Sequence, residues 1–157
     1  MFGINILYFF LCQCLKDNSW IDVFWGFCFI EPIVGLLVLK LVRGDDIPIR
    51  CYLILGMVTL WGVRLALHIG CRHKGEDFRY QDMRNRWMAD GKNTYYCNAF
   101  GYIFMMQGFF SLVANAACLY TVILSPNSVL KWTDYAGLAV WVIGFVIEVS
   151  GDMSLRA

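Results

Sequence analysis

The sequence predicts an all-α transmembrane bundle of about five helices, the first of them short, formed as a single domain over residues 1–157. Three observations predict it. Of the 157 residues 59% are hydrophobic and only 16% charged, against about 45–50% and about 25% in soluble domains, and mean hydropathy is +0.57. One stretch, Asn93 to Leu130, runs 38 residues without an Asp, Glu, Lys or Arg. The remaining apolar segments are divided by short polar links at 16–18, 43–50 and 126–134, with no repeat, low-complexity run or flexible linker. Unpaired backbone groups are too costly in hydrocarbon for isolated strands, so the spans are helices.

The elements follow in order. Met1 to Leu15 is apolar but short, since crossing ~30 Å of hydrocarbon takes about 20 residues. No basic residue precedes it and no small-x-small cleavage pattern follows, which favours a shortened or tilted span over a secretory signal. The second span covers Ser19 to Val42, and Pro32 within it opens a backbone bond and predicts a kink. The third covers Cys51 to Arg72. The fourth runs from about Ala99 to Leu124, with Tyr95 and Tyr96 at the headgroup level and Pro126 closing the stretch. The fifth extends from Tyr135 to about Gly151.

Charge sets the orientation and removes some functions. The net charge of +1 provides no field to attract nucleic acid, so no nucleic-acid partner is expected. Arg72, Lys74, Arg79, Arg84, Arg86 and Lys92 lie in the loop after the third span and Lys16 on the same side, against Lys40, Arg43, Arg50 and Lys131 opposite. That excess predicts a cytoplasmic loop 72–96 and C-terminus, with the N-terminus across the membrane. Within the loop, Glu76 with Arg79 and Asp82 with Arg86 have helical pair spacing, and Trp87 and Met88 would seat the helix at the interface as a cap.

The seven cysteines form no C-x-x-C pair and sit mostly in apolar runs, so they read as packing residues. His68 and His73 are five apart, a spacing that does not put both on one helical face, and no metal is expected. Neither G-x-G-x-x-G nor a P-loop, G-x-S-x-G or H-E-x-x-H occurs.

Five ionisable residues fall inside spans: Asp22, Glu31, Arg64, Glu148 and Asp152. A lone charge at the bilayer centre costs ~2.5–3.5 kcal/mol, so each needs a partner or a purpose. Asp22, Arg64, Glu148 and Asp152 all lie within about 12 Å of the cytoplasmic boundary by helix rise. Two readings stand: mutual structural ion pairing, or a shared polar pocket for a phosphate- and ribose-bearing ligand. Trp25 lies on the Asp22 face, and Trp61 and His68 share the face of Arg64. Glu31, directly before Pro32, is deeper and reads as either a buried protonated acid or a proton donor to an apolar substrate. Gln107, Ser111, Ala114, Asn115 and Cys118 form one stripe, and Gly137, Trp141, Gly144, Glu148 and Gly151 another. Such stripes are typically packing faces, with Gln107 best placed to reach a pocket.

Three blocks carry a family resemblance: Asn18-Ser19-Trp20-Ile21-Asp22-Val23-Phe24-Trp25-Gly26; Trp61-Gly62-Val63-Arg64-Leu65 with Glu76-Asp77-Phe78-Arg79-Tyr80; and Asp134-Tyr135-Ala136-Gly137 through Trp141, Gly144, Glu148 and Asp152. In order and spacing they resemble the DUF1295 branch of the steroid 5α-reductase-like membrane oxidoreductases. The resemblance covers nearly all of this chain, but only the N-terminal half to two-thirds of a typical member. It implies a helical bundle reducing a carbon–carbon double bond beside a carbonyl in a steroid or similar lipid, with NADPH held on the cytoplasmic side. In a eukaryote the membrane implied is the endoplasmic reticulum or another internal one.

Asp152 then matches the acidic cofactor-holding position and Leu155-Arg156 the segment after it, so Asp152, Arg64, Glu148, Asp22 and Arg156 are the expected cofactor residues. Glu148 stands where classical members carry asparagine. Glu31 is the expected catalytic acid, with Gln107 and Trp25 in the substrate pocket. The classical Gln-Glu pair is missing, and the family's C-terminal Gly-Leu-Trp and Arg-His-Pro-Asn-Tyr segments are not within residues 1–157. This stretch alone is therefore expected to be weak or inactive. The competing expectation is a non-catalytic subunit packed against other membrane subunits; a transporter ranks third, since no paired broken helices occur.

Overall fold

The structure is a computed structural model that describes residues 2–125 and 129–154, and every element among them is helical. In chain order these are α1 (Phe2–Leu15), α2 (Trp20–Arg43), α3 (Ile49–Gly70), α4 (Phe78–Ala89), α5 (Lys92–Ala114), α6 (Ala116–Leu124) and α7 (Trp132–Ser154). Four of them, α2, α3, α5 and α7, are long and apolar enough to cross a membrane, and α1 is a shorter apolar helix. The protein is a polytopic all-α membrane protein.

The α2–α3 pair is the centre of the bundle. Gly26 and Gly62 meet there backbone to backbone, and a Cβ on either would strike the other's carbonyl. Apolar side chains gain little by leaving lipid for one another, so close backbone approach is what makes such a crossing adhere. At the end where α2 begins, Phe9, Cys12, Ile21, Tyr80, Tyr95, Ala99 and Phe104 pack one core from α1, α2, α4 and α5. At the other end Ile33, Leu37, Cys51, Ile54 and Val122 form a second core from α2, α3 and α6.

Two expectations shift, both in the fourth span, whereas the helix α2 is continuous from Trp20 to Arg43 with Pro32 inside it. The fourth span begins seven residues earlier than expected, at Lys92, because polar Asn93, Thr94 and Asn98 continue a helix whose Tyr95 is buried. It also ends sooner, at Ala114, where Asn115 separates it from α6 and turns its amide to the carbonyl of Phe29, 2.9 Å away. Within α5, Ala99–Met105 is wound as a π-helix against α1. Pro126 lies outside the described residues. All seven cysteines are unbridged; Cys12, Cys28 and Cys51 are fully buried packing residues, whereas Cys14, Cys71 and Cys97 are exposed.

The last helix behaves differently. Among its described residues none is buried. It is fastened instead at two points. Near its start Asp134 takes a bidentate pair from Arg50 (2.6 and 2.8 Å) and the backbone N–H of Lys131 (2.7 Å). Near its end Glu148 and Asp152 both bond Arg64.

Candidate functional site

Arg64 leaves α3 six residues before its end, which points its guanidinium at the last turns of α7. There Nη1 donates to Glu148 at 2.6 Å and Nη2 donates to Asp152. Trp61, one turn back, donates its indole N–H to the other Glu148 oxygen at 3.0 Å, and His68, one turn on, brings Nδ1 within 3.8 Å of Asp152. The i, i+4 spacing of the two carboxylates thus meets the i, i+3, i+7 face of α3. One arginine against two carboxylates leaves the cluster acidic.

Two open clefts adjoin at His68. One, about 370 Å3, is lined by Arg64, His68 and Asp152 among apolar side chains. The other, about 460 Å3, is lined by Ser19, His68, Arg72, His73, Lys74 and Asp77, a mainly cationic set. Its walls are held by a polar network the sequence did not announce. Asp17 accepts from Ser19 Oγ at 2.5 Å and lies 2.8 Å from His73 Nε2, while Trp20 tilts against the His73 ring. Glu76 accepts from Asn18 N at 2.8 Å and from Arg84 at 2.7 and 3.0 Å; Asn18 in turn bonds Gln13 and Tyr95.

Asp22 does not join the Arg64 cluster. It accepts from the Tyr80 hydroxyl at 2.7 Å and has Arg79 at 3.6 Å, because α4 folds down over this end of the bundle. Burial and the adjacent carboxylate push the Tyr80 phenol above its usual range, so it stays a donor. Gln107 lies close to the same hydroxyl, so it stands with Asp22. The loop does carry a helix, α4, with altered pairings: Asp82 bonds Arg86, but Glu76 pairs with Arg84 and Arg79 with Asp77. Trp87 packs against the core and near Tyr102.

Glu31 has a partner from α1, the Tyr8 hydroxyl, which donates to one of its oxygens. The other oxygen and the Asn5 side-chain nitrogen are buried with no hydrogen-bond partner among the described residues. Gly26 touching Gly62 sets the depth: Glu31 lies about 8 Å beyond the crossing and Arg64 about 3 Å on the loop side. Trp25 stands edge-on to Phe29 (5.5 Å), which stands edge-on to Trp61 (5.0 Å), an aromatic row reaching the Glu148 cluster. Arg156 lies outside the described residues. No group of three or more His, Cys, Asp or Glu side chains among the described residues is placed to hold a metal ion.

Residues 8–157 match the family model described as protein of unknown function, DUF1295. The chain belongs to the DUF1295 family. No curated protein and no solved structure matches it. The three sequence blocks contribute residues that meet in the structure: Asp22 beside Tyr80, and Arg64 beside Glu148 and Asp152.

Proposed function

We propose that this DUF1295 protein serves NADPH-dependent reduction of a carbon–carbon double bond conjugated to a carbonyl in a steroid or other lipid. One observation carries the reading: a mainly cationic cleft and a second cleft lined by Arg64 and Asp152 share His68 at one end of the bundle. A phosphate-bearing nucleotide suits this division. Arg72, His73 and Lys74 are the phosphate-side residues; Asp152, whose oxygens retain acceptor capacity, suits ribose hydroxyls, with Arg64 and Glu148 holding it in place. When bound, NADPH supplies a hydride. Glu31 would supply a proton to the carbonyl oxygen, with Tyr8 orienting the acid, giving an enol that returns to the ketone as its α carbon gains a proton from solvent and its oxygen loses one. Gln107 and Trp25 then act at the pocket margin.

The test combines NADPH binding with NADPH oxidation over a panel of enone lipids, in proteoliposomes. Residues 1–157 are expected to bind NADPH and to turn over weakly or not at all. Asp152→Ala should weaken binding about tenfold, the equivalent of one lost ~1.4 kcal/mol interaction. Binding absent from the wild type, or unaffected by Asp152→Ala, overturns the reading.

A second reading, a non-catalytic subunit, is favoured by the unburied α7, whose apolar face is available to another membrane protein. Co-purification in a stable complex whose function survives both Arg64→Ala and Asp152→Ala would establish it.

A further inference from the structure

The surface changes character where two spans end. The helix α2 begins at Trp20 and α3 ends at Gly70, and just beyond them lies the cleft of about 460 Å3 that holds Arg72, His73 and Lys74. On the span side of the same boundary an open groove of about 320 Å3 runs between α2 and α3. Its lining includes Trp20, Val23, Phe27, Val63, Leu67 and Gly70, and no charged side chain among the described residues enters it. Trp20 joins the two spaces: it walls the groove and its ring lies 4.6 Å from that of His73, which walls the cleft.

We propose that an anionic phospholipid occupies the two together, its phosphate in the cleft and one acyl chain in the groove. Charge in the cleft supports the headgroup. The acids in and around it are engaged, Asp77 by Arg79, Asp17 by His73 and Asp152 by Arg64. Arg72 and Lys74, by contrast, pair with no carboxylate among the described residues, and Arg72 lies 3.3 Å from His68 Nε2 instead. Two cations are thus left for a phosphate, and a zwitterionic headgroup would set its own cation against them. The groove supports the chain. Phe27, Val63 and Leu67 are exposed along it, and Val63 to Gly70 extends about 10 Å down α3 by helix rise. A chain lying there descends from the headgroup level into hydrocarbon, as a lipid tail does. A soluble phosphate would leave the groove empty, and an uncharged lipid would leave both cations unmatched.

The inference goes beyond the reductase reading, because binding requires neither NADPH nor turnover, although on that reading the lipid and a nucleotide phosphate contend for the same cations. The experiment uses the whole chain in phosphatidylcholine nanodiscs doped with a phosphatidylglycerol whose acyl chain carries a diazirine, cross-linked without nucleotide and mapped by mass spectrometry. Adducts are expected within residues 20–27 and 63–71, and a phosphatidylcholine probe with the same chain should label them about tenfold less. The double variant Arg72→Gln/Lys74→Gln alters two exposed side chains, so the fold should survive while labelling falls about tenfold. Gly70→Leu fills the loop end of the groove, where its Cβ meets only Val23 Cγ1 at an ordinary 3.5 Å, and should lower labelling similarly. Gly56→Leu, on the same helix but outside the lining, should label as wild type. Glycerol 3-phosphate, a phosphate without a chain, should not compete. Adducts mapping elsewhere, which is the result if a protein segment covers the groove, overturn the proposal. So do equal labelling by the phosphatidylcholine probe, undiminished labelling in either the double variant or Gly70→Leu, or full competition by glycerol 3-phosphate. Failure of NADPH binding with these adducts in place would sink the reductase reading alone.

Discussion

The α2–α3 pair and α7 are both apolar enough to cross a membrane, but they are secured by opposite means. At Gly26 and Gly62 two backbones touch, and much of α2 is buried. Along α7 nothing described is buried, and the helix hangs on Arg50–Asp134 near one end and Arg64–Glu148/Asp152 near the other. In lipid, apolar contact alone gives little net association, so a helix needs either close backbone fit or polar bonds that have no better partner in hydrocarbon. The first kind of attachment is rigid. The second leaves room between helices, and the open cleft lined by Trp61, Ala114 and Trp141 is that room.

The largest effect should come from breaking the rigid half. Gly26→Val or Gly62→Val forces a branched side chain into a facing carbonyl and should destabilise by about 3 kcal/mol or more. Thermal denaturation in detergent, monitored by size-exclusion recovery, checks this; wild-type recovery would show that the crossing tolerates separation. Next is the inner fastening of α7. Arg64→Met leaves Glu148 and Asp152 without their shared donor, and should cost about 1–3 kcal/mol, the usual penalty for stranding polar groups. Adding Glu148→Gln and Asp152→Asn should recover most of it. No recovery would mean that Arg64 acts through packing instead of charge.

The outer fastening is weaker. Arg50→Met should cost less than Arg64→Met, and chiefly raise the accessibility of cysteines placed at 136–140 to a membrane-permeant maleimide, leaving those at 58–62 unchanged. Uniform accessibility would erase the distinction between the two regions. The smallest effect lies outside the membrane, at the α4 cap. Arg79, through its side chain and backbone N–H, holds the Asp77 carboxyl below the usual range. A depressed folded value means that the stabilisation is present above about pH 3.9 and lost as pH falls through the lower, folded value. Asp77→Ala also removes the α4 N-cap and should cost about 1 kcal/mol at neutral pH. In circular dichroism melts, the gap between wild type and Asp77→Ala should narrow towards pH 3; a constant gap would contradict the assignment.

The spans were legible because long charge-free runs have few physical solutions, and the Arg64–Glu148–Asp152 cluster was legible because two carboxylates four apart share a helix face. Other partners were not. Tyr80 reaches Asp22 from 58 residues away on a helix outside the membrane, and Arg50 finds Asp134 across 84. Spacing rules act within one helix and say nothing about such pairs. The polar triplet Asp17-Asn18-Ser19 gives no hint of its partners in the sequence: all three residues are buried despite their polarity, and each bonds across the end of the bundle or along its own turn. Glu31 was seen, but its partner Tyr8 sits in the one segment too short to be read with assurance as a span.

The π-wound stretch Ala99–Met105 has a bearing on how this chain tolerates change in length. A π turn carries more residues per turn than an α turn, so α5 stores slack at that point. Removing one residue there should let the coil tighten while Tyr95 and Gln107 keep their faces. The same deletion after Met106 would rotate everything downstream by about 100° and carry Asn115 away from the carbonyl of Phe29.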